Sequence, residues 1–135
     1  MTPYEGVATD VAPNHPDVML RIPADSAYLA VLRTATAGLA ARLDFTLDDI
    51  EDLRIAVDEA CAMVLPQAQP DSDLTCVFYL DAARLTVSVS AQCDTPTTPS
   101  RDGFAWTVLA ALTNEVSADV DGDTLTVTLA RGTTG

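Results

Sequence analysis

The sequence predicts an α+β domain in which a single mixed, mostly antiparallel sheet is covered on one face by about three helices. Three observations carry the prediction. Two early segments place apolar residues at helical spacing. In two later pairs of segments, apolar and polar residues alternate as they do in strands. Another segment with helical spacing lies between those pairs. With 135 residues, of which 48% are hydrophobic, the chain suits one domain with a sizeable core.

The first half of the chain predicts one strand followed by two helices. Residues 18–22, VMLRI, suit a short strand, and Asp25 or Ser26 can cap the helix that follows. The apolar stripe expected on this first helix is Tyr28, Leu32, Ala35, Leu39 and Leu43. Thr46 begins the second helix as a cap with acids in the first turn, and Pro66 ends it. Its expected stripe is Ile50, Leu53, Val57, Cys61 and Val64.

The second half predicts two hairpins with a helix between them. Residues 74–80 and 84–91 alternate and are rich in β-branched side chains, which favours a hairpin. A loop over 92–103 leads to a helix over 104–116, where the apolar residues return to helical spacing. The Asp-Gly pair at 121–122 is typical of the turn of a final hairpin.

Residues 1–17 predict a disordered leader because they contain three prolines, a glycine and several small polar residues, and the folded domain is expected over 18–131. The N-terminus lacks the basic start and apolar run of a signal peptide, and no apolar stretch is long enough to span a bilayer.

Cys61, Cys76 and Cys93 form no CxxC motif, so neither a zinc site nor a disulfide framework is indicated. We therefore expect reduced thiols in a cytoplasmic protein.

The charge balance excludes several classes of function. The formal net charge is −13, from 20 acidic and 7 basic residues, whereas nucleic acids and anionic membranes need clustered basic side chains. We expect neither of them as partner, but rather a basic protein. All seven basic residues are arginines, which removes lysine-dependent phosphate loops and Schiff bases. The single histidine, His15, lies in the leader, so Ser-His and Cys-His catalysis lack a placed base.

Two runs of the sequence carry a resemblance to a known family. The first is RIPADSAYLAVLRTATAGLAARLDFTLDDIEDLRIAVDEA and the second is RDGFAWTVLAALTNEV. Together they resemble the RsbW/SpoIIAB-type anti-sigma factors, in particular the actinobacterial branch, over about residues 18–131. The resemblance implies the histidine kinase-like ATPase (GHKL or Bergerat) fold. It also implies ATP and Mg²⁺ as the cofactors of a small serine kinase.

The resemblance implies a site on the second helix. The family carries a glutamate there that accepts the proton of the attacking hydroxyl, and an asparagine four residues later that binds Mg²⁺. Glu59 matches the first position, as general base and nucleotide-site residue. Met63 stands at the second position, also as a nucleotide-site residue, and its soft thioether is not a ligand that Mg²⁺ prefers. No metal ligand is therefore assigned. The neighbouring Asp58 is interpreted as a plain surface residue.

Three further residues are implied as nucleotide contacts. Asp94 is the carboxylate nearest to the position of the family's adenine-reading Asp-x-Gly-x-Gly loop, about two or three residues out of register, and it also suits a plain turn. Gly103 matches the last glycine of the family's lid, and Arg101 could reach a phosphate at the helix N-terminus. Asp102 offers an alternative there, as an N-cap whose carboxylate would compete with phosphate.

Two other side chains have two interpretations each. Arg33 matches a basic position on the family's first helix, in the surface that binds the sigma factor. It is equally compatible with a solvated helix face. Trp106 shares a helix with Phe104, Val108 and Leu109, which favours a core position over a stacking platform.

Three functions are compatible with the resemblance. The leading one is an anti-sigma factor with a degenerate nucleotide site, which sequesters an alternative (SigB/SigF-like) sigma factor and releases it to a competing STAS-type anti-anti-sigma protein. Such a protein is expected to be a homodimer that associates through the sheet and first helix. The second is an active serine/threonine kinase that phosphorylates the antagonist with ATP. The third is an accessory or sensor domain of the same fold without a sigma partner.

Overall fold

The computed structural model describes residues 16–133 of the chain. Most of the predicted leader, including His15, lies outside the described residues. Asp17, which the prediction gave to the leader, contacts the sheet. Its backbone N–H donates to Phe78 O over 2.9 Å, and its carboxylate accepts from Leu80 N over 2.7 Å. These contacts extend the edge of the first strand by one residue.

The strands form one five-stranded sheet. Their bounds are β1 Val18–Pro23, β2 Asp73–Asp81, β3 Arg84–Gln92, β4 Glu115–Asp121 and β5 Thr124–Gly132. The strand order is β1-β2-β3-β5-β4, and every pairing is antiparallel. The predicted α+β class is confirmed, and the sheet is antiparallel throughout, whereas the prediction allowed a mixed one.

The described part of the chain contains three α-helices that pack on the sheet. They are α1 Leu29–Arg42, α2 Leu47–Val64 and α3 Phe104–Leu112, and short 3-10 turns cover Ser26–Tyr28 and Leu65–Gln67. Side chains on the strands alternate between buried and more exposed positions, so one face of the sheet forms the core. The predicted stripe of α2 is buried at Leu53, Val57, Cys61 and Val64. None of these helices is both long and apolar enough to cross a membrane.

Two predicted local signals are confirmed. Thr46 caps α2, and its Oγ1 accepts a hydrogen bond from Asp49 N over 3.1 Å. Asp121 and Gly122 lie at the turn between β4 and β5. Gly122 has φ 62°, the left-handed conformation that glycine adopts without strain.

The start of α1 differs from the prediction. Asp25 caps the preceding 3-10 turn and not α1 itself, because its Oδ1 accepts from Ala27 N over 2.9 Å. Tyr28 ends that tighter turn, so it leaves the expected apolar stripe and is 44% exposed. The buried residues of α1 are Leu32, Thr36 and Ala40.

The last helix is shorter than predicted. It ends at Leu112 because Thr113 is already extended, with φ −132° and ψ 161°. Asn114 then pairs with β5: its N–H donates to Ala130 O over 2.8 Å, and its side-chain oxygen accepts from Gly132 N over 2.7 Å. These contacts with a distant strand end the helix, although the apolar spacing continues beyond it.

Arg131 joins the ends of two helices to the last strand. Its Nη2 lies 2.7 Å from Asp49 Oδ1 and 3.2 Å from Asp52 Oδ2. Its Nη1 donates to Leu112 O over 2.6 Å. The carboxyl end of α3 therefore lies beside the first turns of α2.

Candidate functional site

Glu59 and Met63 lie one turn apart on the same face of α2. Glu59 is partly buried, and within residues 16–133 no hydrogen bond or ion pair engages its carboxylate. Met63 is also partly buried and packs against the hydrophobic core. An uncommitted carboxylate can take up a proton, so the position of Glu59 is compatible with the general-base role that the family resemblance implies.

The position of Met63 does not fit a protein-held Mg²⁺. Mg²⁺ takes hard oxygen ligands at short distances in octahedral geometry, and a core-packed thioether supplies none. The described residues also contain no group of three or more His, Cys, Asp or Glu side chains that could hold a metal ion. No step through a bound metal is therefore derived for this site.

Arg33 faces α2 as well as solvent. Its Nε donates to Asp58 Oδ1 over 2.7 Å, and the two side chains are 37% and 38% exposed. Asp58 therefore lies at the helix surface and is also the ion-pair partner of Arg33. The two adjacent acids of α2 differ in their contacts. Asp58 forms an ion pair with Arg33 of α1, whereas Glu59 forms none within residues 16–133.

A groove beside Arg33 runs between α1 and α2. It is a cavity of about 550 Å³ whose lining includes Arg33, Ala37, Gly38, Leu47, Ile50 and Arg54. Leu47 is 84% exposed. Gly38 leaves open space, since a Cβ at this position would meet no atom within 4 Å.

The segment between β3 and α3 is fastened to the residues that follow α2. Gln67 Nε2 donates to Thr97 O over 3.0 Å, and Gln67 Oε1 accepts from Thr97 N over 2.9 Å. Gln69 Nε2 donates to Asp94 Oδ1 over 2.9 Å. The carboxylate that the sequence offered as adenine reader is therefore already engaged by a glutamine.

Arg101 and Gly103 lie at the start of α3. The Arg101 guanidinium lies over the Trp106 ring, 4.6 Å from its centroid, which is a cation–π contact. Trp106 is 6% exposed, so its core interpretation is confirmed. Gly103 is the N-cap of α3 and no side chain caps the helix, so the alternative role of Asp102 as N-cap is wrong. Phe104, the first residue of the helix, is 83% exposed.

The helices that carry the candidate nucleotide residues pack against each other. The Arg131 contacts bring the carboxyl end of α3 beside the first turns of α2. The nine residues of α3 span about 13 Å at 1.5 Å per residue. Gly103, at the amino end of α3, therefore lies about one helix length from the Arg131 contact. Among the described residues, no hydrogen bond or ion pair joins Glu59 directly to the three loop candidates, Asp94, Arg101 and Gly103.

The cysteines of the domain are buried, free thiols. Burial raises the pKa of Cys61 from 9.0 to about 12, an effect to which Cys76 and Asp58 add and which Arg33 opposes. Burial likewise raises the pKa of Cys76 to about 12, and it raises the pKa of Cys93. None of the three has the lowered pKa of a reactive thiolate.

Comparison with known families matches residues 22–130 to the histidine kinase-like ATPase domain. The matched region includes part of every strand and all three helices of the described fold. The chain belongs to the histidine kinase-like ATPase domain family. The fold that the sequence resemblance implied is thereby confirmed.

Curated relatives of this histidine kinase-like ATPase domain include RsbW proteins. The anti-sigma-F factor RsbW of Mycobacterium tuberculosis is 36% identical over 105 residues, which cover 78% of this chain and 62% of that protein. The serine-protein kinase RsbW of Bacillus cereus is 39% identical over 75 residues, which cover 54% of this chain and 47% of that protein. The chain thus spans about half to three-fifths of the length of these relatives. The predicted resemblance to RsbW proteins is confirmed.

The sequence alone missed two contacts that shape the site of this histidine kinase-like ATPase domain. Gln67 and Gln69 lie in the run PQAQP, which matches no motif, and their partners are 30 and 25 positions away. The partner of Arg33 was also missed, although opposite charges on two neighbouring helices were a usable signal.

Proposed function

We propose that this chain is an anti-sigma factor, which sequesters an alternative (SigB/SigF-like) sigma factor and releases it when a STAS-type anti-anti-sigma protein competes. Support comes from the family and from 36% identity to a protein named as an anti-sigma-F factor. The observation on the chain itself that carries the proposal is the exposed groove between α1 and α2 beside Arg33.

The groove suits an amphipathic helix of a partner. Small side chains of α1 leave room for it, and exposed Leu47 offers apolar surface that a partner would remove from water. α1 is apolar almost all round, with Arg33 and Arg42 as its only charged residues, which is typical of a helix that is covered on more than one side. Arg33 and Arg54 line the groove and form ion pairs with Asp58 and Glu51 of α2, so a carboxylate of the partner would compete with these acids for the two guanidinium groups.

Capture of a sigma factor by the purified chain tests the proposal with two matched variants. Arg33→Gln removes the cation, whereas Asp58→Asn breaks the same ion pair and keeps the cation. Both variants should stay folded, because a pair this exposed contributes at most about 1 kcal/mol. We expect Arg33→Gln to weaken capture at least about tenfold, as the loss of a charged hydrogen bond does, and Asp58→Asn to leave capture unchanged.

The choice of glutamine follows from the ion pair. A glutamate at position 33 would lie against the Asp58 carboxylate and disturb the helix pair as well as the partner surface. Equal loss of capture in both variants would mean that the ion pair only shapes the surface. Failure of the unaltered chain to capture any alternative sigma factor would contradict the proposal and favour an accessory or sensor domain.

A second candidate function is a serine/threonine kinase that phosphorylates the anti-anti-sigma antagonist. The uncommitted Glu59 carboxylate supports it, and so does 39% identity to a protein named as a serine-protein kinase. In this function ATP supplies the phosphoryl group, and Asp94, Arg101 and Gly103 are the residues that would contact the nucleotide. Glu59 would accept the proton of the attacking serine hydroxyl.

Titration calorimetry with ATP, with and without Mg²⁺, distinguishes the kinase from the plain anti-sigma factor. Binding that Glu59→Gln leaves intact, together with transfer of phosphate to the antagonist that Glu59→Gln abolishes, would establish the kinase. Absence of binding heat under both conditions would exclude it. Sigma capture is measured on the same preparations, so the two functions are decided separately.

Homodimer formation and a cytoplasmic location are parts of the same proposal. Light scattering on the eluting protein measures the mass directly. A mass of about one chain at micromolar concentration would contradict the homodimer.

A further inference from the structure

We propose that Gln67 and Gln69 form a latch that controls access of nucleotide to this domain. The latch holds the segment from Cys93 to Gly103 against the residues that follow α2. Nucleotide binds only to the chain in which the latch has opened. The inference rests on the second candidate function in one respect, since the ligand of this segment is taken to be a nucleotide.

The backbone around the latch forms an isolated β-bridge. Ala68 forms a β-bridge with Cys93, just beyond the end of β3. Gln69 N donates to Gln92 O over 2.8 Å. The bridge fixes the base of the segment, so the glutamines on either side of Ala68 are positioned to reach it.

Gln67 binds the peptide backbone of Thr97 with both ends of its amide group. One end donates to the carbonyl over 3.0 Å and the other accepts from the N–H over 2.9 Å. Pro96 and Pro99 lie on either side of Thr97, and each fixes its own φ angle. A clamp on Thr97 therefore restrains the stretch from Pro96 to Pro99.

Gln69 competes with a nucleotide for the same oxygen. Its Nε2 donates to Asp94 Oδ1 over 2.9 Å. The exocyclic amine of adenine is an N–H donor of similar geometry, so a base that approaches Asp94 Oδ1 from the side of Gln69 displaces the glutamine amide. Both bonds are exposed and neutral on the glutamine side, and such bonds are weak enough to open in solution.

The first test follows the amide proton of Thr97, which donates to Gln67 Oε1. Hydrogen exchange measured by NMR should be slower at Thr97 in the unaltered chain than in Gln67→Ala by at least about tenfold. Gln92→Ala is the matched control, because Gln92 is an exposed glutamine at the end of β3 whose side chain contacts Thr124 and not the latch. Equal exchange at Thr97 in the unaltered chain and Gln67→Ala would overturn the latch.

The second test measures ATP affinity by calorimetry on the same proteins and on the double variant Gln67→Ala/Gln69→Ala. Opening the latch raises the binding-competent fraction, so the double variant should bind ATP about tenfold more tightly than the unaltered chain, and Gln92→Ala should not. Equal affinity, or no binding by either protein, would overturn the latch as a control of nucleotide access. Sigma capture by the double variant then reports separately whether the anti-sigma function stands.

Discussion

Arg131 and Asp49 are 82 positions apart in the sequence and form a buried ion pair, with Arg131 Nη2 2.7 Å from Asp49 Oδ1. The same guanidinium holds Leu112 O at the end of α3, so the pair fixes how α3 lies along α2. Any sliding of α3 would move Gly103 relative to Glu59. The geometry of the candidate site therefore depends on a contact at the opposite end of both helices.

Replacing Arg131 should destabilise the fold strongly. Arg131→Met leaves Asp49, which is 2% exposed, without its guanidinium partner, and breaking a buried pair in this way costs about 3–5 kcal/mol of unfolding free energy. Urea denaturation measures the loss. Arg84→Met is the matched control, since its partner Glu115 is 77% exposed and the loss should stay below about 1 kcal/mol. Similar small losses in both variants would contradict the structural role of Arg131.

The buried thiols should make the domain less stable at alkaline pH. In the unfolded chain the thiols ionise near pH 9.0, whereas in the folded chain the pKa values of Cys61 and Cys76 are about 12. Between these values the unfolded chain has lost protons that the folded chain keeps. The buried thiols therefore do not lower the free energy of unfolding below pH 9. Between pH 9 and pH 12 that free energy falls by about 1.4 kcal/mol per pH unit for each thiol.

Urea denaturation under reducing conditions at about pH 8 and about pH 10 measures this effect. The comparison is with Cys61→Ala/Cys76→Ala, which is less stable overall but lacks both groups. We expect the stability of this variant to change less between the two pH values. An equal change in both proteins would show that other groups cause the alkaline loss.

Met63 should decide whether ATP binding responds to Mg²⁺. In the unaltered chain we expect Mg²⁺ to leave ATP affinity nearly unchanged, because the thioether packs in the core and offers no hard oxygen. Met63→Asn should introduce a dependence on Mg²⁺ of at least about tenfold, at a cost of about 1–3 kcal/mol in stability. Met63→Leu is the control and should behave as the unaltered chain. Mg²⁺-dependent binding in the unaltered chain would show that another group holds the metal.

The features that the sequence predicted correctly depend on residues close together in the chain. Thr46 caps α2 through Asp49, three positions later, and the Asp121–Gly122 turn needs only its own two residues and the alternating strands beside it. The buried stripe of α2 likewise repeats within its own helix. Local periodicity and turn chemistry are sufficient for such elements.

The features that the sequence missed depend on contacts between distant residues. The end of α3 is set by Asn114 pairing with β5, which no helical period reveals. The clamp of Gln67 on Thr97 joins residues 30 positions apart. Met63 could be recognised as a departure from the family pattern, but its packing against the core needed the fold.

The most direct test of the proposed anti-sigma function is the affinity of a captured sigma factor for the chain altered at Gly38, measured by titration calorimetry. A Cβ at Gly38 meets no atom within 4 Å, so Gly38→Ala and Gly38→Glu should both fold. Because Gly38 lines the α1–α2 groove, the glutamate would occupy the space that the partner helix needs. The predicted result is that Gly38→Ala binds sigma factor as the unaltered chain does and that Gly38→Glu binds at least about tenfold more weakly. Unchanged binding by Gly38→Glu, or no binding by the unaltered chain, would contradict the proposed function of this surface.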